Sequence, residues 1–193
     1  MKFSTLYKQQ PEKSDKGTRH DYIDNFYCPE FTPIRNKQLY IVEIGIYRGR
    51  SLKLLRQWFT NANIVGIDNC SSLTASHWKE IAKMPDVGII YDNAYSSRVV
   101  NIFPDNSIDY LIDDGPHTIE SQIACIELYW PKIKPGGKLI IEDVQYLDRD
   151  AHLFHELSKK LQCYSHLYDL RNNKGRYDDV LIVFTKPILT NKT

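Results

Sequence analysis

The sequence predicts an α/β protein, a mostly parallel, doubly wound sheet with helices on both faces that ends in an antiparallel hairpin. Three observations carry that prediction. Short β-branched runs alternate with stretches of helical spacing from about Leu39 onward. The last two extended runs are joined by a polar turn. Acidic residues stand at the ends of five successive strand-like runs.

LYIVEI (39–44) is a β-branched run closed by a glycine and reads as a buried strand. SLKLLRQWF (51–59) places Leu52, Leu55 and Phe59 at helical intervals. NIVGID (63–68) is the second strand, and HWKEIAKM (77–84) a helix. GIIYDN (88–93) follows as a strand, and SSRVVNIF (96–103) holds a short helix. IDYLID (108–113) is a strand and TIESQIACIELYWPKI (118–133) largely a helix, with Pro131 in its last turn. KLIIED (138–143) is the fifth strand, entered through Pro135-Gly136-Gly137. A helix from about Arg149 to Leu161 leads into CYSHLYDL (163–170). RNNKGR (171–176) breaks the pattern, and DDVLIVFTK (178–186) completes the hairpin. Residues 36–186 form one ligand-binding domain, preceded by an N-terminal segment, 1–35, and followed by a polar tail, 187–193.

A chain of 193 residues suffices for one full core. Hydrophobic residues at 42% and charged ones at 25% are a soluble globular balance. A net charge of +1 leaves no footprint for nucleic acid or an anionic membrane. Cys28, Cys70, Cys125 and Cys163 are too scattered for structural zinc or a disulfide framework. The N-terminus lacks the apolar core of a signal peptide, and no run reaches the ~20 apolar residues of a membrane helix. The expected compartment is cytoplasmic.

Glu43, Asp68, Asp92 with Asn93, Asp113 with Asp114, and Glu142 with Asp143 end the five strands. A lone acid there reads as a helix N-cap, but five in order predict one polar crevice along the carboxyl edge of the sheet. In EIGIYRGRS (43–51), Gly45 permits a tight turn, while Gly49 and Ser51 sit near the helix start. Tyr47 stands where the dinucleotide pattern G-x-G-x-x-G has its middle glycine, which favours a nucleoside without a pyrophosphate. Asp68 is placed to accept from ribose hydroxyls and Asp92-Asn93 to meet an adenine edge, a combination that reads as S-adenosylmethionine binding. In LIDDGPHTIES (111–121), Asp113, Asp114 and His117 follow a buried run, where carboxylates need a partner or a metal.

Together E-I-G-x-x-x-G-x-S, G-I-D, I-D-D-G-x-H, K-P-G-G and I-E-D resemble the metal-dependent class I O-methyltransferases. The likeness is closest to the macrolide sugar O-methyltransferases of the macrocin and mycinamicin type, with cephalosporin-type enzymes further off. It covers roughly Ser14 to Asp143, including S-D-K-G-T-R-H-D-Y, which in that family belongs to a segment closing over the site. The resemblance implies a Rossmann-like class I methyltransferase fold, with the N-terminal segment, 1–35, as a cap and 36–186 as the S-adenosylmethionine-binding domain. It implies Asp114, Glu142 and Asp143 as ligands of Mg²⁺ or another divalent cation, and His117 as general base. Glu43, Gly45, Asp68 and Asp92 would line the cofactor site, with Gly49, Ser51, Asn93 and Asp113 grouped with them. The implied reaction methylates a hydroxyl of a sugar or glycosylated small molecule, such as an antibiotic, a sugar nucleotide or a surface polysaccharide precursor. The chain is much shorter than the macrolide enzymes, and V-Q-Y-L-D-R-D after Asp143 departs from their aromatic-rich stretch, so the acceptor stays open.

Blander assignments stand beside these. Asp113 could cap a helix starting near Thr118, with His117 packing there. His20 is read as covering the ligand, whereas His77, His152, His155 and His166 are surface or packing residues, and Tyr129 and Trp130 pack on the sheet. Rival functions are a catechol-type O-methyltransferase, for which D-N rather than E-D is expected after the fifth strand, a nucleotide-binding oxidoreductase, and a non-catalytic partner subunit. The expected partner is a small-molecule or carbohydrate acceptor, and the sheet edge near the hairpin offers a surface for a homodimer.

Overall fold

The computed structural model describes residues 1–69, 71, 79 and 81–188. Its sheet has seven strands in the order β3-β2-β1-β4-β5-β7-β6. These are β1 (Tyr40–Ile44), β2 (Asn63–Asp68), β3 (Val87–Tyr91), β4 (Ile108–Asp113), β5 (Ile133–Ile141), β6 (Tyr164–Asp169) and β7 (Val180–Thr185). Pairings among β1 to β5 are parallel, while β7 is antiparallel to both β5 and β6. The doubly wound sheet with its closing hairpin is therefore present. Both faces of the central strands are covered, which is why burial along β1 and β4 is almost continuous rather than alternating.

The chain steps from β1 outward to β2 and β3, then returns to place β4 on the other side of β1. That reversal opens a crevice at the carboxyl ends of β1 and β4, the usual ligand position in such sheets. Helices α4 (Arg50–Trp58), α5 (Ser97–Val100), α6 (Ile119–Tyr129) and α7 (Leu147–Lys160) connect the strands. The cap of α6 is Thr118, whose hydroxyl accepts from Ser121 N at 3.2 Å, so Asp113 is released from that role. The helix expected over 118–133 stops at Tyr129, where Trp130–Lys132 tightens into a 3₁₀ turn over Pro131. Strand β5 starts before the glycines, and a bulge absorbs them: Ile108 pairs Ile133, and the next pair is Tyr110 with Lys138. The break at 171–176 contains a single helical turn, α8 (Arg171–Lys174), ended by Gly175. The helix expected over 77–84 falls largely outside the described residues.

Residues 1–35 carry the least anticipated structure: α1 (Phe3–Gln9), α2 (Asp15–Thr18), a π-helical turn (Ile23–Tyr27) and α3 (Cys28–Phe31). They dock through an aromatic cluster on one face of the sheet. Phe31 is fully buried and meets Phe3 at 5.4 Å, Phe59 at 5.0 Å and Tyr110 at 5.4 Å, each edge to face. Trp58 donates its indole N–H to the Phe31 carbonyl at 3.1 Å, tying α3 to α4. The opposite face buries Tyr129 and Trp130 with the apolar residues of β4, β5 and β7. Phe31→Ala is expected to cost ~3–5 kcal/mol, since the ring's neighbours Phe3, Phe59 and Tyr110 come from three separate parts of the chain and cannot collapse together. Denaturant unfolding measures it; a loss below ~1 kcal/mol would show the segment is not held by this cluster.

Candidate active site

The parallel ladder continues past the strand ends, and this aligns the acids. Gly45 N donates to Ile67 O at 2.9 Å, Asp92 N to Asp68 O at 3.0 Å, Asp114 N to Ile44 O at 2.9 Å and Glu142 N to Asp113 O at 3.0 Å. The residues that follow β1, β3, β4 and β5 thus emerge side by side along one edge.

Beyond that edge lies a cavity of about 680 Å³. Gly45, Ser51, Asp68, Asp92, Asn93, Tyr95, Asp114 and His117 line its walls, while Ser14, Asp15, Thr18 and Arg19 of the N-terminal segment close one side. The size is that of a small-ligand site. Asp68 organises the glycine loop, its Oδ2 accepting from Ile46 N and Tyr47 N, both at 3.1 Å. Asp92 pairs with Arg98. Three of the expected cofactor residues stand behind the wall. Glu43 is fully buried, with Ser51 Oγ within 2.6 and 2.7 Å of its oxygens. Gly49 opens α4. Asp113 is buried, accepts from Tyr95 OH at 2.9 Å, and is pushed up to about 7 by burial. Gly115 makes room for that tyrosine: a Cβ there would meet Tyr95 OH at 2.5 Å and Asp113 Oδ1 at 2.9 Å.

The acidic cluster adjoins the cavity. His117 Nε2 lies 3.8 Å from Asp114 Oδ1 and 3.8 Å from Asp143 Oδ2. One ligand atom each from Asp114, His117 and Asp143 fall within 4.8 Å of one another. His117 and Asp143 both have left-handed backbones, φ 59° and 55°, a strained state that clusters at functional sites. Burial lowers His117 and keeps its imidazole neutral near neutral pH, and its Nδ1 is buried without a hydrogen bond. Burial raises Glu142 and Asp143, as expected where carboxylates crowd without enough positive charge.

Glu142 sits beside this group but is already engaged. Tyr27 OH donates to Oε1, and the Lys16 ammonium donates to Oε2. The same ammonium donates to Asp114 Oδ2 at 2.7 Å and lies 3.4 Å from Glu43 Oε1. Burial works against the Lys16 charge, but the pull of Asp114, Glu142 and Glu43 outweighs it and raises the lysine well above its ordinary value. Asp143 is held from the other side. Tyr22 OH donates to Oδ1 at 2.8 Å, and His20 Nε2 stands 3.4 Å from Oδ2. His20, Asp143 and Asp178 form a second buried donor group, and burial lowers His20 to about 4. His152, His155 and His166 are exposed.

Asp114 and Asp143 thus each use one oxygen on a neighbour; Asp114 turns the other toward His117, and Asp143 sets its other between His20 and His117. Hard carboxylate donors beside an imidazole suit a divalent cation. Lys16, Tyr22, Tyr27 and Tyr95 were missed from the sequence. S-D-K-G-T-R-H-D-Y pointed to the segment, but only His20 was singled out there.

A family description, Methyltransferase domain, matches residues 42–144. The chain belongs to this methyltransferase-domain family. It is 26% identical over 141 residues to the 8-demethyl-8-alpha-L-rhamnosyl tetracenomycin-C 2'-O-methyltransferase of Streptomyces olivaceus, covering 68% of this chain and 35% of that one. It is 27% identical over 151 residues to the mycinamicin VI 2''-O-methyltransferase of Micromonospora griseorubida, covering 70% and 37%. The chain therefore spans about a third of the length of these curated relatives. Among solved structures, the MycE methyltransferase of the mycinamycin pathway in complex with Mg, SAH and mycinamycin VI aligns with a TM-score of 0.71 at 18% identity. That alignment covers 100% of this chain and 55% of MycE. The likeness establishes the class I Rossmann-like methyltransferase fold for this methyltransferase domain.

Proposed function

We propose that this methyltransferase domain is an S-adenosylmethionine-dependent O-methyltransferase, assisted by a divalent cation, acting on a hydroxyl of a sugar or glycosylated small molecule. The observation that carries the reading is the cluster of His117, Asp114 and Asp143, of which His117 and Asp114 line a nucleoside-sized cavity. When bound, S-adenosylmethionine supplies an electrophilic methyl group, and Mg²⁺ or another divalent ion supplies charge that stabilises an ionising hydroxyl.

The chain's own groups do the rest. Gly45, Ser51, Asp68, Asp92 and Asn93 line the cofactor's place, and Glu43, Gly49 and Asp113 hold those walls from behind. Asp114, Glu142 and Asp143 are the cation's ligands. His117 takes the acceptor proton at Nε2, the nitrogen that faces the carboxylates. Residues 1–35 serve as the cap, 36–186 as the catalytic domain and 187–193 as a tail. The curated relatives are named for methylating rhamnosyl tetracenomycin and mycinamicin VI, which supports a sugar hydroxyl over an aromatic one. A cytoplasmic setting belongs to the same proposal, as does a homodimer formed along edge strand β6, where Tyr164 and Leu167 are exposed. No helix among the described residues is long and apolar enough to cross a membrane.

Calorimetry with S-adenosylhomocysteine and with NAD tests the cofactor, and labelled methyl transfer to sugar-nucleotide acceptors with Mg²⁺ tests the reaction. S-adenosylhomocysteine should bind and NAD should not; the reverse result overturns the reading. Asp68→Ala is expected to weaken S-adenosylhomocysteine at least ~10-fold, because it removes the ribose acceptor and frees the two loop amides it now orders. An unchanged affinity would remove Asp68 from the site.

A further inference from the structure

We propose that Lys16 is a positioning residue that sets the cation affinity of the acidic cluster, its ammonium competing with a divalent ion for the carboxylates of Asp114 and Glu142. This rests on the assignment of those carboxylates to a cation.

Lys16 is 4% exposed, and its ammonium touches Glu43, Asp114 and Glu142, one acid from each of three neighbouring strand ends. It is a tethered cation in the middle of an acid nest. Both Glu142 oxygens are occupied, one by Tyr27 and one by Lys16, so a metal gains Glu142 only on an oxygen that one of them now holds. Asp114 is divided, with Oδ2 on Lys16 and Oδ1 toward His117. One ammonium carries one positive charge against Glu43, Asp114, Glu142 and Asp143. The nest therefore still favours a dication, but at reduced strength, because the lysine and the metal repel one another at close range in a poorly solvated place.

The local backbone leaves the lysine little choice of place. Tyr7 OH donates to Ser14 O at 2.9 Å and Thr18 Oγ1 donates to the same carbonyl at 3.1 Å, fixing the turn of α2. Gly17 lets that turn lie on Tyr7, since a Cβ there would come within 2.6 Å of the ring. Ser14, Asp15 and Thr18 of the same turn line the cavity. Displacing Lys16 therefore pulls on a wall of the cofactor's place, and cation binding and seating of the cap segment are linked through this side chain.

Calorimetry with Mn²⁺ alone, on the wild-type protein, Lys16→Met and Lys16→Arg, tests the proposal. Lys16→Met should bind Mn²⁺ at least ~10-fold more tightly, and Lys16→Arg should stay within ~3-fold of wild type. Affinity that is unchanged or weaker in Lys16→Met overturns the proposal, because a lysine that only held the cluster together would give that result. A second readout needs no variant. Saturating Mn²⁺ should speed tryptic cleavage of the wild-type protein after the exposed Arg19, and cleavage indifferent to bound Mn²⁺ overturns the proposal equally. S-adenosylhomocysteine binding in the same samples separates the two layers. If it persists while no protein binds Mn²⁺, the cation reading and the Lys16 proposal both fail and the cofactor assignment stands; if Mn²⁺ binds without responding to Lys16, the Lys16 proposal alone is lost.

Discussion

His117→Gln is expected to lower kcat for methyl transfer by about 10²–10⁴-fold while leaving S-adenosylhomocysteine affinity within ~3-fold of wild type. Glutamine matches the imidazole in reach and keeps a hydrogen-bonding end, but it cannot accept a proton at neutral pH. What the substitution removes is therefore the basic nitrogen. The structure gives that nitrogen a defined setting. Burial keeps the ring neutral, and Nε2 is equidistant, at 3.8 Å, from Asp114 and Asp143. The left-handed backbone at His117 turns the side chain back toward the sheet edge, at an energetic cost that a merely packing histidine has no reason to bear. Steady-state kinetics with saturating cofactor and cation reads the effect. A loss smaller than ~10-fold would place the proton acceptor elsewhere, and a parallel collapse of S-adenosylhomocysteine binding would mean that His117 shapes the pocket instead.

The fold was most legible where local and global signals agree. β2 and β4 run over the residues that the β-branched pattern marks out, because their central residues, 64–67 and 110–112, are covered by the layers on either side and carry no charge. The strand-end acids were legible for a related reason: parallel strands in register deliver their carboxyl ends to one edge, so sequence order alone predicts that they meet. The helices of the N-terminal segment were not legible, because α2 and α3 are each 4 residues long and α1 is 7, too short for a hydrophobic period to show. Lys16 is the clearest case. It lies in a polar stretch and reads as a solvated charge, yet its partners Asp114 and Glu142 are 98 and 126 residues away. Burial of a lysine is decided by those distant acids and leaves no local trace. The start of β5 was misplaced for the opposite reason. Pro135-Gly136-Gly137 carries a strong turn signal, and the sheet accommodates it as a bulge within the strand.

Gly45→Ala carries the other large effect, an expected loss on the order of 3–5 kcal/mol in stability together with loss of S-adenosylhomocysteine binding. Two costs add at this position. The backbone stands at φ 79°, which side chains rarely adopt, and an added Cβ would come within 1.9 Å of the Asp114 carbonyl oxygen and 2.5 Å of its carbon. The obstacle is backbone on a neighbouring strand end, so no rotamer change relieves it. Relief requires Asp114 to move away from β1, which breaks the 2.9 Å bond from Asp114 N to Ile44 O and separates the cluster from the cavity it serves. Gly175→Ala supplies the comparison. Its φ is 69°, but nothing lies within 4 Å of the added carbon, so conformational strain acts there alone and the expected cost is ~1 kcal/mol. Guanidinium unfolding of the two variants isolates the close approach of β1 to Asp114. Equal losses would mean that strain explains both and that the sheet edge yields easily, whereas a larger loss at Gly45 identifies the rigid contact that brings the cavity wall and the acidic cluster together.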